Sequence, residues 1–135
     1  MSTLRTNDLE GMDAKNSITI VAGAGNITTT NVQQGLVVTY LNLDGTGTVA
    51  SNKSVNIASI TDAGNGDYRP VFTNNFADVN FVCLCTHQHT VSNSKCDAMY
   101  SQADSSTGGC RVMSWENDSA TDVDCFCMGI AGDLA

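Results

Sequence analysis

Residues 36–47 read LVVTYLNLDGTG, and this stretch decides the fold class. Its first eight residues are rich in leucine, β-branched and aromatic side chains, and its last four are turn formers, so it predicts a strand that ends in a tight turn. Similar runs recur about every 10 to 12 residues. No window keeps a helical period of apolar residues beyond two turns. The sequence therefore predicts an all-β protein, a small antiparallel sandwich of jelly-roll-like type.

The further predicted strands are short apolar runs bounded by glycine, asparagine or aspartate. They cover 55–60, 68–72, 79–86, 110–115 and 123–128. Pro70 lies inside the second of these runs and removes one backbone donor, which predicts an edge strand or a bulge. In the turn before it, Gly64 and Gly66 are expected to take positive φ, and Asp62 and Asp67 are expected to accept backbone N–H groups.

The charge balance excludes several classes of partner. Fourteen acidic residues stand against six basic ones, for a formal net charge of −8, and the basic residues form no cluster. Such a surface repels phosphate backbones, so we expect no nucleic-acid binding. No apolar run approaches the roughly 20 residues that cross a bilayer, and the opening residues lack the apolar stretch of a signal peptide. We therefore expect synthesis in a cytoplasm and no membrane insertion.

The chain divides at about residue 35. Residues 1–35 are rich in glycine and threonine and hold only thin apolar patterns, so they cannot bury a face of their own. They are either a floppy tail or an arm that becomes ordered against other chains by β-addition or intertwining. We predict an N-terminal docking and oligomerisation arm over 1–35 and a sandwich domain over 36–135.

Metal-capable side chains occupy alternate positions in one predicted strand. Cys83, Cys85, His87 and His89 would share one face of it. Cys125 and Cys127 repeat the same spacing near the end of the chain, so that four thiols would share one face if the two strands were neighbours.

Three interpretations of the cysteines stay open. They are small buried side chains in a packed face, disulfides formed after release into an oxidising medium, or metal ligands. The disulfide candidates are Cys83 or Cys85 with Cys125 or Cys127, and Cys96 with Cys110 across a polar loop. A single tetrahedral site is hard to build from four alternate strand positions, whose spacing is roughly 6 to 7 Å.

Three stretches carry a resemblance to a known group. They are YLNLDGTGT at 40–48, NIASITDAGNGDY at 56–68 and FADVNF at 76–81. In this order they resemble the small β-sandwich module of tail-fibre-like virion proteins from marine and freshwater bacteriophages, notably cyanophages. Tyr40 stands where that group usually has tryptophan, and neither the cysteines nor the histidines belong to the pattern.

The resemblance implies a virion structural protein, a short homotrimeric tail fibre that attaches to the host. Its partners would be other copies of itself, a tail baseplate or adaptor protein, and a host surface glycan or protein. The alternative is a capsid decoration (cement) protein whose arm staples neighbouring major capsid subunits. In a three-fold fibre, His87 and His89 of each copy would offer six imidazoles to a transition-metal ion on the axis. No other cofactor is expected.

Receptor contacts are expected in two polar loops, 93–109 and 116–122. The candidate residues combine aromatic rings with carboxylate and amide groups, which suits sugar binding. They are Tyr100, Asp104, Trp115, Asn117 and Asp118. The chain holds no nucleophile elbow, zinc-protease motif, phosphate loop or dinucleotide fingerprint, so we expect no enzymatic activity.

Overall fold

The computed structural model describes residues 19–20, 30–31, 36–88 and 96–135, and its regular elements there are all β-strands. The all-β prediction is confirmed. In chain order the strands are β1 (Thr19–Ile20), β2 (Thr30–Asn31), β3 (Val37–Asp44), β4 (Ala50–Val55), β5 (Ile57–Gly64), β6 (Asp67–Phe72), β7 (Val82–Gln88), β8 (Cys96–Ser106), β9 (Gly109–Glu116), β10 (Ser119–Ala120) and β11 (Cys125–Ala131). None of the described residues belongs to a helix that could span a membrane.

Two antiparallel sheets pack together. The four-stranded sheet has the order β4-β3-β11-β7. In the five-stranded sheet β9 lies between β8 and β6, β5 pairs with β6, and β10 pairs with β9. The antiparallel arrangement of two packed sheets is confirmed, while its trimeric and jelly-roll-like parts stay predictions. The predicted arm falls mostly outside the described residues, which show only that β1 pairs with β2.

The core lies between the sheets because the inward positions of the long strands alternate with outward ones. In β3 every second residue is buried, beginning with Thr39 and continuing through Leu41 and Leu43. The other buried core side chains are Tyr68, Pro70 and Phe72 of β6, Cys110, Val112 and Ser114 of β9, and Phe126, Met128 and Ile130 of β11. Burying side chains of this size stabilises the fold by about 1.5–3 kcal/mol for each large apolar residue.

An aromatic cluster closes one end of the core. The ring centroids of Phe72 and Phe76 lie 5.1 Å apart, and those of Phe76 and Phe81 lie 4.7 Å apart. Leu134 packs against the core, and its backbone forms a β-bridge with Phe76. The last residues of the chain therefore cover this end of the sandwich.

The structure corrects the predicted loop over 93–109. Residues 96–106 form the longest of the described strands, β8, and its hairpin partner β9 begins at Gly109. The strand was missed because its sequence is largely polar. As an edge strand with one solvated face, β8 requires few apolar residues.

The edge strand, one of the two alternatives predicted for Pro70, is wrong, and neither register shift between β5 and β6 lies at Pro70. β6 pairs with β5 on one side and with β9 on the other. Pairing with β9 is interrupted between Tyr68 and Val71, so the missing N–H of Pro70 removes no bond from that ladder. Gly109 approaches so closely there that a Cβ at this glycine would lie 2.8 Å from the Pro70 carbonyl oxygen.

Candidate functional site

The turn between β5 and β6 is fixed to the loop that follows β10. Gly64 and Gly66 have φ of 135° and 63°, as predicted for glycine at these positions. The Gly66 N–H donates to Asp122 Oδ1 at 2.7 Å, and the Ser114 N–H donates to the Gly66 carbonyl oxygen at 2.9 Å. Asp62 accepts the Gly64 N–H at 3.1 Å, as expected. These bonds hold the turn rigidly against β9.

Arg111 links two carboxylates on the outer face of the five-stranded sheet. Its Nε and Nη2 donate to the two oxygens of Asp67 at 3.0 and 2.8 Å, and its Nη1 donates to Asp104 at 2.8 Å. These bonds raise the pKa of Arg111, and they hold the pKa of the Asp104 carboxyl below its usual value. Asp67 was expected to accept backbone N–H groups of the turn, but its carboxylate binds Arg111 on both oxygens instead.

Trp115 lies beside this charged network. The inward residues of β9 are Val112 and Ser114, so Met113 and Trp115 project from the outer face, where Trp115 is half-buried. Its indole nitrogen is buried and has no hydrogen-bond partner within the described part of the chain. A shallow pocket of about 200 Å³ opens here. It is lined by turn residues 63–67 and by Arg111, Met113, Trp115 and Ala120.

The other predicted receptor contacts divide between interior and surface. Tyr100 lies in β8 and packs against Phe81, with ring centroids 5.8 Å apart, so burial raises its pKa. Asn117 and Asp118 form the exposed turn between β9 and β10, both with positive φ. The structure therefore gathers Trp115 and Asp104 around Arg111, while Tyr100 belongs to the other face of the sheet.

The register of β7 and β11 corrects the expectation of four thiols on one face. Cys85 is opposite Met128, whereas Cys127 is opposite Thr86. Partners in a ladder share a face, so Cys83 and Cys85 point into the sandwich and Cys125 and Cys127 point away from it. The sheet itself separates the two pairs, and the predicted disulfides between them are not formed.

Cys96 and Cys110 are also kept apart. Cys96 pairs with Glu116 at one end of the β8–β9 hairpin, and Cys110 lies near the other end, next to Arg111, which is opposite Ser101. Five strand residues span roughly 17 Å, far beyond the limit of about 7 Å between the Cα atoms of a disulfide. The predicted bridge is excluded by this register.

The inward-facing thiols contact other sulfur atoms in the core. The sulfurs of Cys83 and Cys85 lie 3.5 Å apart, and the Cys110 thiol donates to the Met128 sulfur at 3.6 Å. The hydrogen bond between the sulfurs of Cys83 and Cys85 lowers the pKa of Cys85 and raises that of Cys83. Burial raises the pKa of Cys110 to about 12. Protonated thiols in such surroundings behave as small apolar side chains.

The predicted histidine site is only partly described. His87 is opposite Phe126, so its ring faces inward, and both ring nitrogens are buried without a partner among the described residues. His89 lies outside the described residues. A metal ion shared by these histidines at a trimer axis stays a prediction. The described residues hold no group of three or more histidine, cysteine or acidic side chains that converge as a metal site.

Comparisons with known proteins do not identify the chain. No protein-family model, curated protein or solved structure matches it.

Sequence reasoning missed the two charged residues of the pocket. Arg111 and Asp67 are 44 positions apart, and only the pairing of β6 with β9 brings them together. The sequence offered one weak signal: Arg111 alternates with apolar residues in a strand, a position where a charge needs a partner.

Proposed function

We propose that this protein is a bacteriophage virion structural protein, the host-attachment module of a short homotrimeric tail fibre that binds a host surface glycan. The observation that carries the proposal is the pocket beside Trp115, where an aromatic ring adjoins a bidentate arginine–carboxylate pair. The likeness of residues 36–82 to tail-fibre-like virion proteins supplies the biological setting. The proposal includes no catalytic step.

The chemistry of the pocket suits a sugar. A pyranose ring presents an apolar face, which stacks on an indole, and hydroxyl groups, which hydrogen-bond to carboxylate, amide and guanidinium groups at its edge. Trp115 supplies the indole ring on which the sugar stacks. Asp67 and Asn65 supply acceptors and donors. A volume of about 200 Å³ is below the roughly 300–1,000 Å³ of pockets for drug-sized ligands, which favours a single sugar unit.

The binding proposal is tested with the protein's own fluorophore. Trp115 is the only tryptophan of the chain, so its emission reports directly on the pocket. The full chain would be screened on an array of bacterial surface glycans and then titrated with each hit. We expect a saturable change in emission, and at least tenfold weaker array binding for Asp67→Asn. Leu84→Ala, on the opposite sheet, is the matched control. If the Trp115→Ala variant still binds the array, the pocket beside Trp115 is not the glycan-binding site.

The homotrimer is tested separately by sedimentation equilibrium of the full chain and of a variant that begins at residue 36. We expect three copies for the full chain and a smaller species for the truncated one, because the proposed arm orders only against other copies. A full chain that sediments as one compact copy, with residues 1–35 resistant to protease, would contradict the fibre.

The capsid decoration alternative is favoured by one observation. The outer face of the four-stranded sheet exposes large apolar side chains, among them Val82 and Leu84, as a surface that packs on another protein would. The number of copies per virus particle distinguishes a tail fibre from a capsid decoration protein. We expect on the order of ten copies per particle, on isolated tails, for a fibre. Hundreds of copies on heads that carry no tails would instead support the decoration role.

A further inference from the structure

The outer face of the four-stranded sheet carries an exposed pair of thiols. Cys125 and Cys127 project from β11 on this face and are half-buried. Their sulfurs lie 3.8 Å apart. In the same ladder Cys127 is opposite Asn42 of β3 and Thr86 of β7. The pair is therefore held in the middle of a rigid sheet rather than on a loop.

The spacing of the two sulfurs matches one edge of a zinc tetrahedron. Four thiolates at about 2.3 Å from a tetrahedral Zn²⁺ lie about 3.8 Å from one another, which is the distance between these two sulfurs. The pair thus needs no rearrangement to supply two of the four ligands.

Asn42 provides the hydrogen bonds that thiolate ligands need. Its side-chain amide donates to Cys127 at 3.2 Å and to Cys125 at 3.4 Å. Asn52 in turn donates to the amide oxygen of Asn42 at 3.0 Å, which fixes the orientation of the amide with its NH₂ toward the sulfurs. Donors of this kind stabilise negative charge on metal-bound sulfur and orient the ligands.

One chain cannot complete the site, because no third histidine, cysteine or acidic side chain converges on the pair among the described residues. We infer that Cys125 and Cys127 of two copies bind one Zn²⁺ between them, as a four-thiolate site that joins the outer faces of their four-stranded sheets. The inference does not depend on the proposed glycan site, which lies on the other sheet.

The sheet geometry permits this arrangement. Packed sheets lie about 10 Å apart and a cysteine sulfur projects roughly 3 Å from its sheet, so the sulfurs of facing copies would be about 4 Å apart. A two-fold axis between the sheets, inclined at about 45° to β11, makes the strands of the two copies cross orthogonally. It sets the Cys125–Cys127 edge of one copy perpendicular to that of the other, as a tetrahedron of four thiolates requires. The row beside the thiols is Leu84, Gly129, Tyr40 and Val55, and Leu84 is 69% exposed. The joined faces would bury this apolar row.

Zinc binding would exchange protons for the metal. Each of the four thiols transfers its proton to the solvent as its sulfur bonds to Zn²⁺, so four protons are released and no electrons move. Zinc affinity should therefore fall steeply as the pH is lowered.

The test uses the reduced, metal-free full chain. We expect it to bind one Zn²⁺ per two copies, to double its sedimenting mass, and to return to the starting mass when a chelator is added. Co²⁺ in place of Zn²⁺ should give the intense visible absorption of tetrahedral thiolate coordination. Cys127→Ser should abolish all of these changes, while Cys83→Ala, which alters the inner thiol pair, should leave them intact.

Three results would overturn the inference. They are one zinc ion per chain with no change in mass, zinc binding that survives Cys127→Ser, and zinc binding that is lost in Cys83→Ala although that variant remains folded. Trp115 emission provides the check on folding for both variants. Because the glycan titration is carried out with chelator present, failure of zinc binding leaves the result for the proposed function unaffected.

Discussion

At the scale of single residues, two glycines have similar positive φ but differ in the space around them. Together they distinguish the cost of backbone strain from the cost of a steric clash. Gly47 and Gly66 have φ of 65° and 63°. A Cβ at Gly47 would meet nothing within 4 Å, whereas a Cβ at Gly66 would lie 2.4 Å from the Ser114 carbonyl oxygen. Gly66 is thus the position where the β5–β6 turn and β9 can approach only because the side chain is absent.

We expect Gly47→Ala to lower the free energy of unfolding by about 1–2 kcal/mol, from strain alone. Gly66→Ala should lower it by about 3 kcal/mol or more, because the clash displaces backbone and breaks the bond from Ser114. Urea unfolding followed by Trp115 emission measures both. Equal losses for the two variants would show that the close approach of the turn to β9 is relaxed in solution.

The carboxyl group of Asp104 is expected to contribute to the pH dependence of the protein's stability. Donation from Arg111, and secondly from Ser101, lowers the pKa of this carboxyl in the folded state. The stabilisation is present above the unfolded pKa of about 3.9 and is lost as the pH falls through the lowered folded value. We expect Arg111→Gln to raise the pKa of Asp104 in a carboxyl NMR titration, and Arg69→Gln to change it little. An unchanged Asp104 pKa in Arg111→Gln would contradict the ion pair.

At the scale of strands, register decides what the cysteines can do. Sequence spacing showed correctly that Cys83 and Cys85 share a face and that Cys125 and Cys127 share a face. It could not show that the β7–β11 pairing places residues of odd number in β7 opposite residues of even number in β11, as with Cys85 and Met128. A shift of one residue would exchange every side chain between the two faces.

We therefore expect the cysteines to differ in reactivity. In native, reduced and metal-free protein at pH 8, a maleimide should modify the outward-facing Cys125 and Cys127 before the inward-facing Cys83 and Cys85. Cys110 is only 3% exposed and has its pKa raised to about 12, so it should react last, after unfolding. Peptide mass spectrometry of timed samples measures the order, with urea-unfolded protein as the control. Early modification of Cys110 would place β9 in a different register.

At the scale of the whole molecule, the sequence predicted the all-β fold class, but it did not predict two of the strands at the edges of the sheets. The inward apolar alternation of β3, β9 and β11 is strong because these strands lie inside sheets and face the core. The edge strands β4 and β8 are largely polar and could not be recognised from periodicity. Of the receptor contacts predicted from sequence, Trp115 lines the pocket and Asp104 binds Arg111 beside it. Arg111 and Asp67 meet only through the pairing of β6 with β9, which no local pattern encodes.

The last four residues provide a whole-molecule prediction, because they close the aromatic end of the core. The Ala77 N–H donates to the Asp133 carbonyl oxygen at 2.8 Å, and the Ala135 N–H donates to the Asn75 carbonyl oxygen at 2.9 Å. Removing 132–135 would delete both bonds and expose Phe76, which is 1% exposed in the intact chain. We expect a loss of roughly 3–5 kcal/mol in the free energy of unfolding, from about 1 kcal/mol per hydrogen bond and the uncovered apolar surface.

The matched control for this truncation is Leu134→Ala, which removes the packed side chain and keeps both backbone bonds. It should lower the free energy of unfolding by about 1–2 kcal/mol, since Leu134 is only partly buried. Urea titration of both variants, read by Trp115 emission at the opposite end of the five-stranded sheet from Phe72, reports whether the whole sandwich unfolds as one unit. If the truncated chain unfolds at the same urea concentration as the intact one, the C-terminal residues do not close the core.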